Sequence, residues 1–145
     1  MSKIFIDTNI LVYCMDDFDP KRKERCRILL KTLTNDLQGV ISTQVMQEFY
    51  VAATKKLGVD ALFAKDILHS LERFETVIIT PQIIKDAIDC SIINRISFWD
   101  SLIVLAAESA RCEKIWTEDL NDGQVIRGVR IENPIKDADM RDGTI

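Results

Sequence analysis

The sequence predicts an α/β protein, a three-layer α/β/α sandwich around a parallel sheet. Three observations carry that expectation. Short apolar, β-branched runs alternate along the chain with longer stretches of helical periodicity, which is the order of βαβ units with right-handed crossovers. Two of the helical stretches open with a capping residue followed by proline, at Asp19-Pro20 and Thr80-Pro81. Acidic residues stand immediately after apolar runs, where strands of such a sheet end. The 145 residues, 47% hydrophobic and 29% charged with few Gly and Pro, suit an ordinary globular protein. At this size roughly two-thirds of the unfolded surface can be buried. Residues 1–145 are expected to form one domain, with no repeat, low-complexity tract or linker.

Taken in order, Lys3 to Ile6 is the first strand, ended by Asp7. "DFDPKRKERCRILLKTLTND" reads as a helix capped by Asp19, with Ile28, Leu29, Leu30 and Leu33 as its apolar side. "GVIST" is the second strand. "TQVMQEFYVAATKKLG" follows as a helix that turns Val45, Phe49 and Ala52 or Ala53 inward and closes with Lys55, Lys56 and Gly58. Another helix covers "VDALFAKDILHSLERF", and "TVIIT" is a β-branched third strand. "PQIIKDAIDCSIINR" is a helix, and "FWDSLIVLAAESARC" is a helix apolar enough to be buried on more than one side. "KIWT" is the fourth strand and "VRIENP" the fifth, stopped by Pro134. The tail "KDADMRDGTI" has few apolar residues with which to dock.

Composition also excludes whole classes of chemistry. A net charge of −4 and a pI near 5.0 disfavour broad adhesion to nucleic acid while leaving room for local basic patches. Cys14, Cys26, Cys90 and Cys112 are spread out, with no C-x-x-C pair, and are expected to be reduced and mostly buried. His69 is the only histidine and sits in a helical pattern, so histidine triads and zinc catalysis are not expected. No window reaches the roughly 18 apolar residues of a membrane span, and strand-like sequence begins at once without an apolar signal region. The expectation is a cytoplasmic protein that does not engage a membrane.

In open parallel sheets the ligand crevice lies beyond the carboxyl ends of the strands, where strand order reverses. Asp7 ends the first strand and Asp119 falls just past the fourth. Glu48 is about one turn into the helix after the second strand, and Asp100 opens the helix before the fourth. Converging carboxylates repel one another, by about 4 kcal/mol for a pair about 4 Å apart at an effective dielectric of about 20. A cation must compensate, and hard oxygen ligands without His or Cys suit Mg²⁺ or Mn²⁺. Metal-assisted phosphodiester hydrolysis is the chemistry this predicts. Each acid also has an ordinary explanation, as a turn, an exposed helix residue, a helix N-terminus or a loop. The joint placement makes the case. Asp16, Asp17 and Asp19 are read instead as loop and cap before the next helix.

With these residues in place the chain resembles the PIN-domain family, and within it the VapC ribonuclease toxins of type II toxin–antitoxin pairs. The matching pieces are "FIDTNILVY", "ISTQVMQEF", "FWDSLIVLAA", "WTEDLNDG" and "VRIENP", in the family's order over nearly the whole chain. The resemblance implies a five-stranded parallel sheet ordered 3-2-1-4-5. It carries over Asp7, Glu48, Asp100 and Asp119 as a catalytic site for Mg²⁺ or Mn²⁺, with Asp122 a weaker contributor. Thr8, Asn9 and Thr117 match positions whose polar groups would orient the carboxylates, and Ser42 at the end of the second strand would do likewise. The implied reaction is hydrolysis of RNA by metal-activated water, leaving a 5′-phosphate and a 3′-hydroxyl. A small antitoxin that reaches the acidic cleft, and a homodimer, are implied as partners.

Lys21, Arg22, Lys23, Arg25 and Arg27 on the early helix, with Lys55, Lys56, Arg95, Arg127 and Arg130, could form a basic rim for RNA or simply solvated faces. A receiver domain would need paired acids after the first strand, and an aspartyl-phosphate phosphatase would need Asp where Asn9 stands. The rival that remains is a PIN-fold RNA-binding or protein-interaction module without catalysis. A DNA nuclease also stays open, because metal-held phosphate chemistry does not by itself distinguish the sugar.

Overall fold

A computed structural model of the chain describes residues 2–33 and 38–136. The first strand, β1 (Lys3–Ile6), leads into a short helix, α1 (Thr8–Tyr13), and then α2 (Pro20–Thr32). β2 (Gln38–Ser42) is followed by α3 (Thr43–Lys55) and α4 (Ala61–Leu71), and β3 (Glu75–Val77) by α5 (Pro81–Asn94) and α6 (Phe98–Ser109). The chain then forms β4 (Lys114–Trp116), β5 (Val125–Ile126) and β6 (Val129–Glu132).

The sheet is ordered β3-β2-β1-β4-β6-β5, with every pairing parallel except the antiparallel β5–β6. The expected order of five parallel strands therefore holds, its fifth strand being β6. The correction is an extra strand: β5 hairpins onto the outer edge through Arg127 and Gly128, both at positive φ, 51° and 80°, the backbone of a two-residue hairpin turn. The helices form two groups by contact, α1 with α2 and α3, and α3 with α4, against α5 packed on α6.

Capping follows local chemistry closely. Asp19 accepts from the backbone N–H of Arg22 at 3.1 Å, and Thr80 from that of Ile83 at 3.2 Å, each one residue before a proline that fits the first helical position. α6 is buried without interruption from Ser101 to Ala107, matching its apolar sequence. Phe5, Ile6, Val40, Ile41 and Ile115, alternating between the two faces of the sheet, fill its centre in the same core. Gly39 lets Phe74 lie on the sheet, since an added Cβ would come 2.6 Å from that ring.

Residues 8–13, which the sequence pattern assigns to no element, form α1. Thr8, Ile10 and Val12 favour strand, but Asp7 caps the segment and Ile10 and Leu11 gain burial as a helical turn. All four cysteines are free, three buried and Cys14 half-buried. His69 is exposed, with Nδ1 2.9 Å from Glu72. No single helix among the described residues is long and apolar enough to cross a membrane. The expectations for Thr34 to Asp36 and for the tail beyond Lys136 lie outside the described residues.

Candidate active site

Asp7 stands where the parallel ladder ends. Its backbone N–H donates to the Trp116 carbonyl at 3.0 Å, one step beyond the Ile6–Trp116 register, and α1 then begins. One carboxylate oxygen, Oδ1, caps that helix by accepting from the Thr8 backbone N–H at 2.7 Å; the other, Oδ2, accepts from Thr117 Oγ1 at 2.7 Å. The residue is only 5% exposed. Burial pushes its carboxyl up from 3.8 to about 7 against both of these hydrogen bonds, and the ionised groups acting on it, Asp119 and Glu48, push the same way.

Thr117, fully buried, joins the ends of β1 and β4. Besides donating to Asp7, its hydroxyl oxygen accepts from the Asp119 backbone N–H at 3.1 Å and from Asn9 Nδ2 at 3.4 Å. Thr8 donates from Oγ1 to Glu48 Oε1 at 2.9 Å, tying α1 to α3. Asp100 sits in the first turn of α6, its backbone N–H donating to Ser97 Oγ at 3.0 Å. Asp119 has its carboxyl raised, first by burial and then by Asp100 and Glu118, while a hydrogen bond from Asn9 lowers it.

Asp7, Glu48, Asp100 and Asp119 line one cavity of about 370 Å³. Sequence elements far apart along the chain meet here, as the strand-end argument expected. Thr8, Asn9 and Thr117 reach the carboxylates directly. Ser42 does not line this cavity; its described role is to cap α3, accepting from the Val45 backbone N–H at 3.3 Å, so it acts on Glu48 only through the helix. Asp122 also stands apart, with Oδ1 accepting from the Asn133 backbone N–H at 2.9 Å and Oδ2 3.7 Å from Lys136 Nζ.

Glu118, beside Asp119 and outside the set the sequence predicts, also lines the cavity and accepts a hydrogen bond from the Tyr13 hydroxyl. Burial and then that bond push the Tyr13 hydroxyl up to about 12, so it stays a donor, and the Arg22 guanidinium lies 4.7 Å from the ring centre. Their separation along the chain hides this contact, which depends on the helical course of α1. Of the basic residues named above, Lys56 lines the cavity. Others are engaged elsewhere: Lys23 with Asp17, Arg27 Nε with the Cys14 carbonyl at 3.0 Å, and Arg127 with Glu108 at 3.0 Å.

The donor set fits a hard divalent cation. Among the described residues the lining offers carboxylates and amide oxygens with no thiol or imidazole, and the buried Asn9 Oδ1 has no hydrogen-bond partner there. Among the described residues, however, no three acidic, His or Cys side chains converge closely enough to hold an ion as they stand. Thr117 holds Asp7 and Thr8 holds Glu48 by hydrogen bonds, and the like charge between them is left uncompensated by these neutral donors.

A sequence model described as PIN domain matches residues 4–124. No curated protein matches the chain. Among solved structures, VapC20 of Mycobacterium tuberculosis, described as a sarcin-ricin loop cleaving toxin, is similar with a TM-score of 0.64 at 13% identity, over 80% of this chain and 89% of that one. VapBC2 of Rickettsia felis, solved on a fragment of its promoter DNA, is similar with a TM-score of 0.64 at 19% identity, over 90% and 97%. A toxin–antitoxin complex from Klebsiella pneumoniae gives 0.63 at 21%, over 87% and 94%. At these identities the likeness establishes the fold.

Proposed function

The chain belongs to the PIN domain family, and from that premise we propose that it is a Mg²⁺- or Mn²⁺-dependent endoribonuclease, the toxin of a type II toxin–antitoxin pair. The observation that carries this reading is the environment of Asp7: a carboxylate buried at a strand end whose charged neighbours, Asp119 and Glu48, are both negative. A buried charge of this kind is costly unless a counter-charge arrives.

Asp7, Glu48, Asp100 and Asp119 would hold the ion. When bound, such an ion neutralises the carboxylates, polarises a phosphoryl oxygen and makes water a stronger nucleophile near neutral pH. The chain's own groups do the rest. Thr8 and Thr117 hold the carboxylates of Glu48 and Asp7 in place. Asp119, raised by burial and by Asp100 and Glu118, is suited to orient the attacking water and take its proton. The water oxygen bonds to phosphorus as the bond to the 3′-oxygen breaks, the proton taken by Asp119 is given up to that oxygen to form the 3′-hydroxyl, and the 5′-phosphate stays on the other fragment. Lys56 at the cavity wall is placed to meet backbone phosphate.

The partners proposed are RNA, a small antitoxin protein and a second copy of the chain. The similar structures of known toxin–antitoxin complexes support the antitoxin. Ile84, Ile88 and Ile92, exposed at four-residue spacing along α5, support self-association. One observation favours a second reading, a PIN-fold RNA-binding module without catalysis: among the described residues, no ready-made metal cluster is present.

Incubating the purified chain with a mixed RNA pool separates the two. Cleavage is expected with Mg²⁺ or Mn²⁺ and none with chelator, and Asp100→Asn should lower it by about a hundredfold or more with the circular dichroism spectrum unchanged. RNA that is bound yet left intact under both ions would replace the enzyme with the silent module.

A further inference from the structure

The cavity wall also carries an aromatic ring that phosphodiester chemistry does not require. Trp99 immediately precedes Asp100 in the first turn of α6, lines the same cavity, and is 63% exposed. The chain's other tryptophan, Trp116, is 4% exposed and donates from Nε1 to Glu132. Tryptophan is enriched at interfaces, where a partner covers its apolar body. Here it adjoins a carboxylate of the acidic site.

We propose that Trp99 is a stacking platform for an unpaired nucleobase next to the phosphate engaged at Asp100, a specificity-determining residue beside the acidic site. The inference rests on the nuclease reading and adds to it a residue that selects the substrate. The indole is held from behind and open in front. Phe98 packs against it edge-on, ring centres 5.2 Å apart at 70°. The Trp99 backbone carbonyl accepts from Gln44 Nε2 at 3.2 Å, and Gln44 is itself buried. Gln44 is thus a positioning residue, fixing the start of α6 to the start of α3.

A ligand that suits both an anion-and-cation site and a flat aromatic face one residue away is a nucleotide within a strand. In a duplex both faces of each base are covered by neighbours, so only an unpaired base can present a face to the indole. Every base has such a face, so the platform selects for strandedness rather than sequence.

The test uses the full chain with Asp119→Asn to suppress turnover, in Mg²⁺, and three probes: an unstructured oligoribonucleotide, the same strand with abasic positions, and a fully paired RNA hairpin. Because Trp116 is buried, quenching of tryptophan fluorescence reports Trp99. The unstructured strand should quench it, and Trp99→Ala should weaken its binding by about tenfold or more. Trp99→Phe should retain most of the affinity, while the abasic and paired probes should bind all three forms alike without quenching. Equal binding of the unstructured strand by the Trp99→Ala form, or an equal loss for all three probes, overturns the stacking platform and leaves the nuclease reading standing. Failure of every form to bind any of these RNAs removes both.

Discussion

Two acidic residues lie on either side of β4 at the same edge of the sheet, and their surroundings differ. Glu132 ends β6. Its carboxylate meets Lys114 Nζ at 3.1 Å and Trp116 Nε1 at 2.9 Å, with about a third of the side chain exposed at 36%. Asp7 follows β1. It is buried, has a backbone N–H and a hydroxyl as donors, and is surrounded by like charge. A carboxylate given a cation and a donor by its own fold is already satisfied. One that is desolvated among other carboxylates raises the energy of the protein alone, and its environment is completed by something from outside. The β6 side of β4 therefore reads as architecture and the β1 side as a binding site.

The largest expected effect comes from removing the charge of Asp7. With its carboxyl raised from 3.8 to about 7, and about 1.4 kcal/mol per tenfold change, ionised Asp7 costs the metal-free fold on the order of 4 kcal/mol. The sign follows from proton uptake. Below 3.8 both folded and unfolded chains are protonated, and the penalty is absent. Between about 4 and 7 the unfolded chain has lost the proton that the folded chain keeps, so stability falls as pH rises; above about 7 the loss is complete. Denaturant unfolding across this range should show that decline in chelator, and Asp7→Asn should flatten it and leave the protein more stable at pH 8. Mn²⁺ should stabilise the unsubstituted chain at pH 8 far more than the variant, while RNA cleavage by the variant falls by about a hundredfold or more. A variant less stable at every pH would mean that Asp7 is there as a helix cap and no more.

Thr117 sets how firmly the two sides are joined, and its loss should rank second. Thr117→Val keeps the shape but removes the hydroxyl that serves Asp7, Asn9 and the Asp119 backbone at once. Leaving buried polar groups unpaired should cost about 1–3 kcal/mol, and a misoriented carboxylate should lower cleavage by about 10–100-fold. Thr117→Ser should recover most of both. If the valine form loses stability but cuts RNA normally, the hydroxyl serves packing and does not orient Asp7.

How much of this contrast the chain announces depends on the kind of residue. Apolar runs stopped by Asp7 and Thr117 are visible in sequence because strand burial and an abrupt polar end are local properties. Asp100 and Glu48 follow, since helix starts near those strand ends are set by the alternation of elements. What stays hidden depends on side-chain direction. Tyr13 meets Glu118 because Asp7 caps residues 8–13 into a helix against their β-branched preference. Asp122 sits three residues from Asp119 yet turns to the Asn133 backbone, which nearness in sequence cannot forecast. β5 escapes notice because its turn needs Arg127 at φ 51°, a conformation that an arginine does not advertise.

Glu132→Gln is the smallest effect and the sharpest control, because it neutralises the acid on the other side of β4 while keeping its shape. The amide oxygen can still accept from Trp116 Nε1, so the buried donor keeps a partner. What disappears is the ion pair with Lys114, whose side chain is 33% exposed and whose worth solvent screening holds to about 1 kcal/mol or less. Urea midpoints should therefore shift slightly toward lower denaturant, without the decline between pH 4 and 7 being altered, and RNA cleavage should stay within about twofold of the unsubstituted chain. Two carboxylates one strand apart would then respond oppositely to the same chemical change, one gaining stability as its charge is removed and the other losing a little. If both responded alike, a general field of negative charge over this edge would explain Asp7 as well as Glu132, and the argument for a cation drawn to the β1 side would lose its footing.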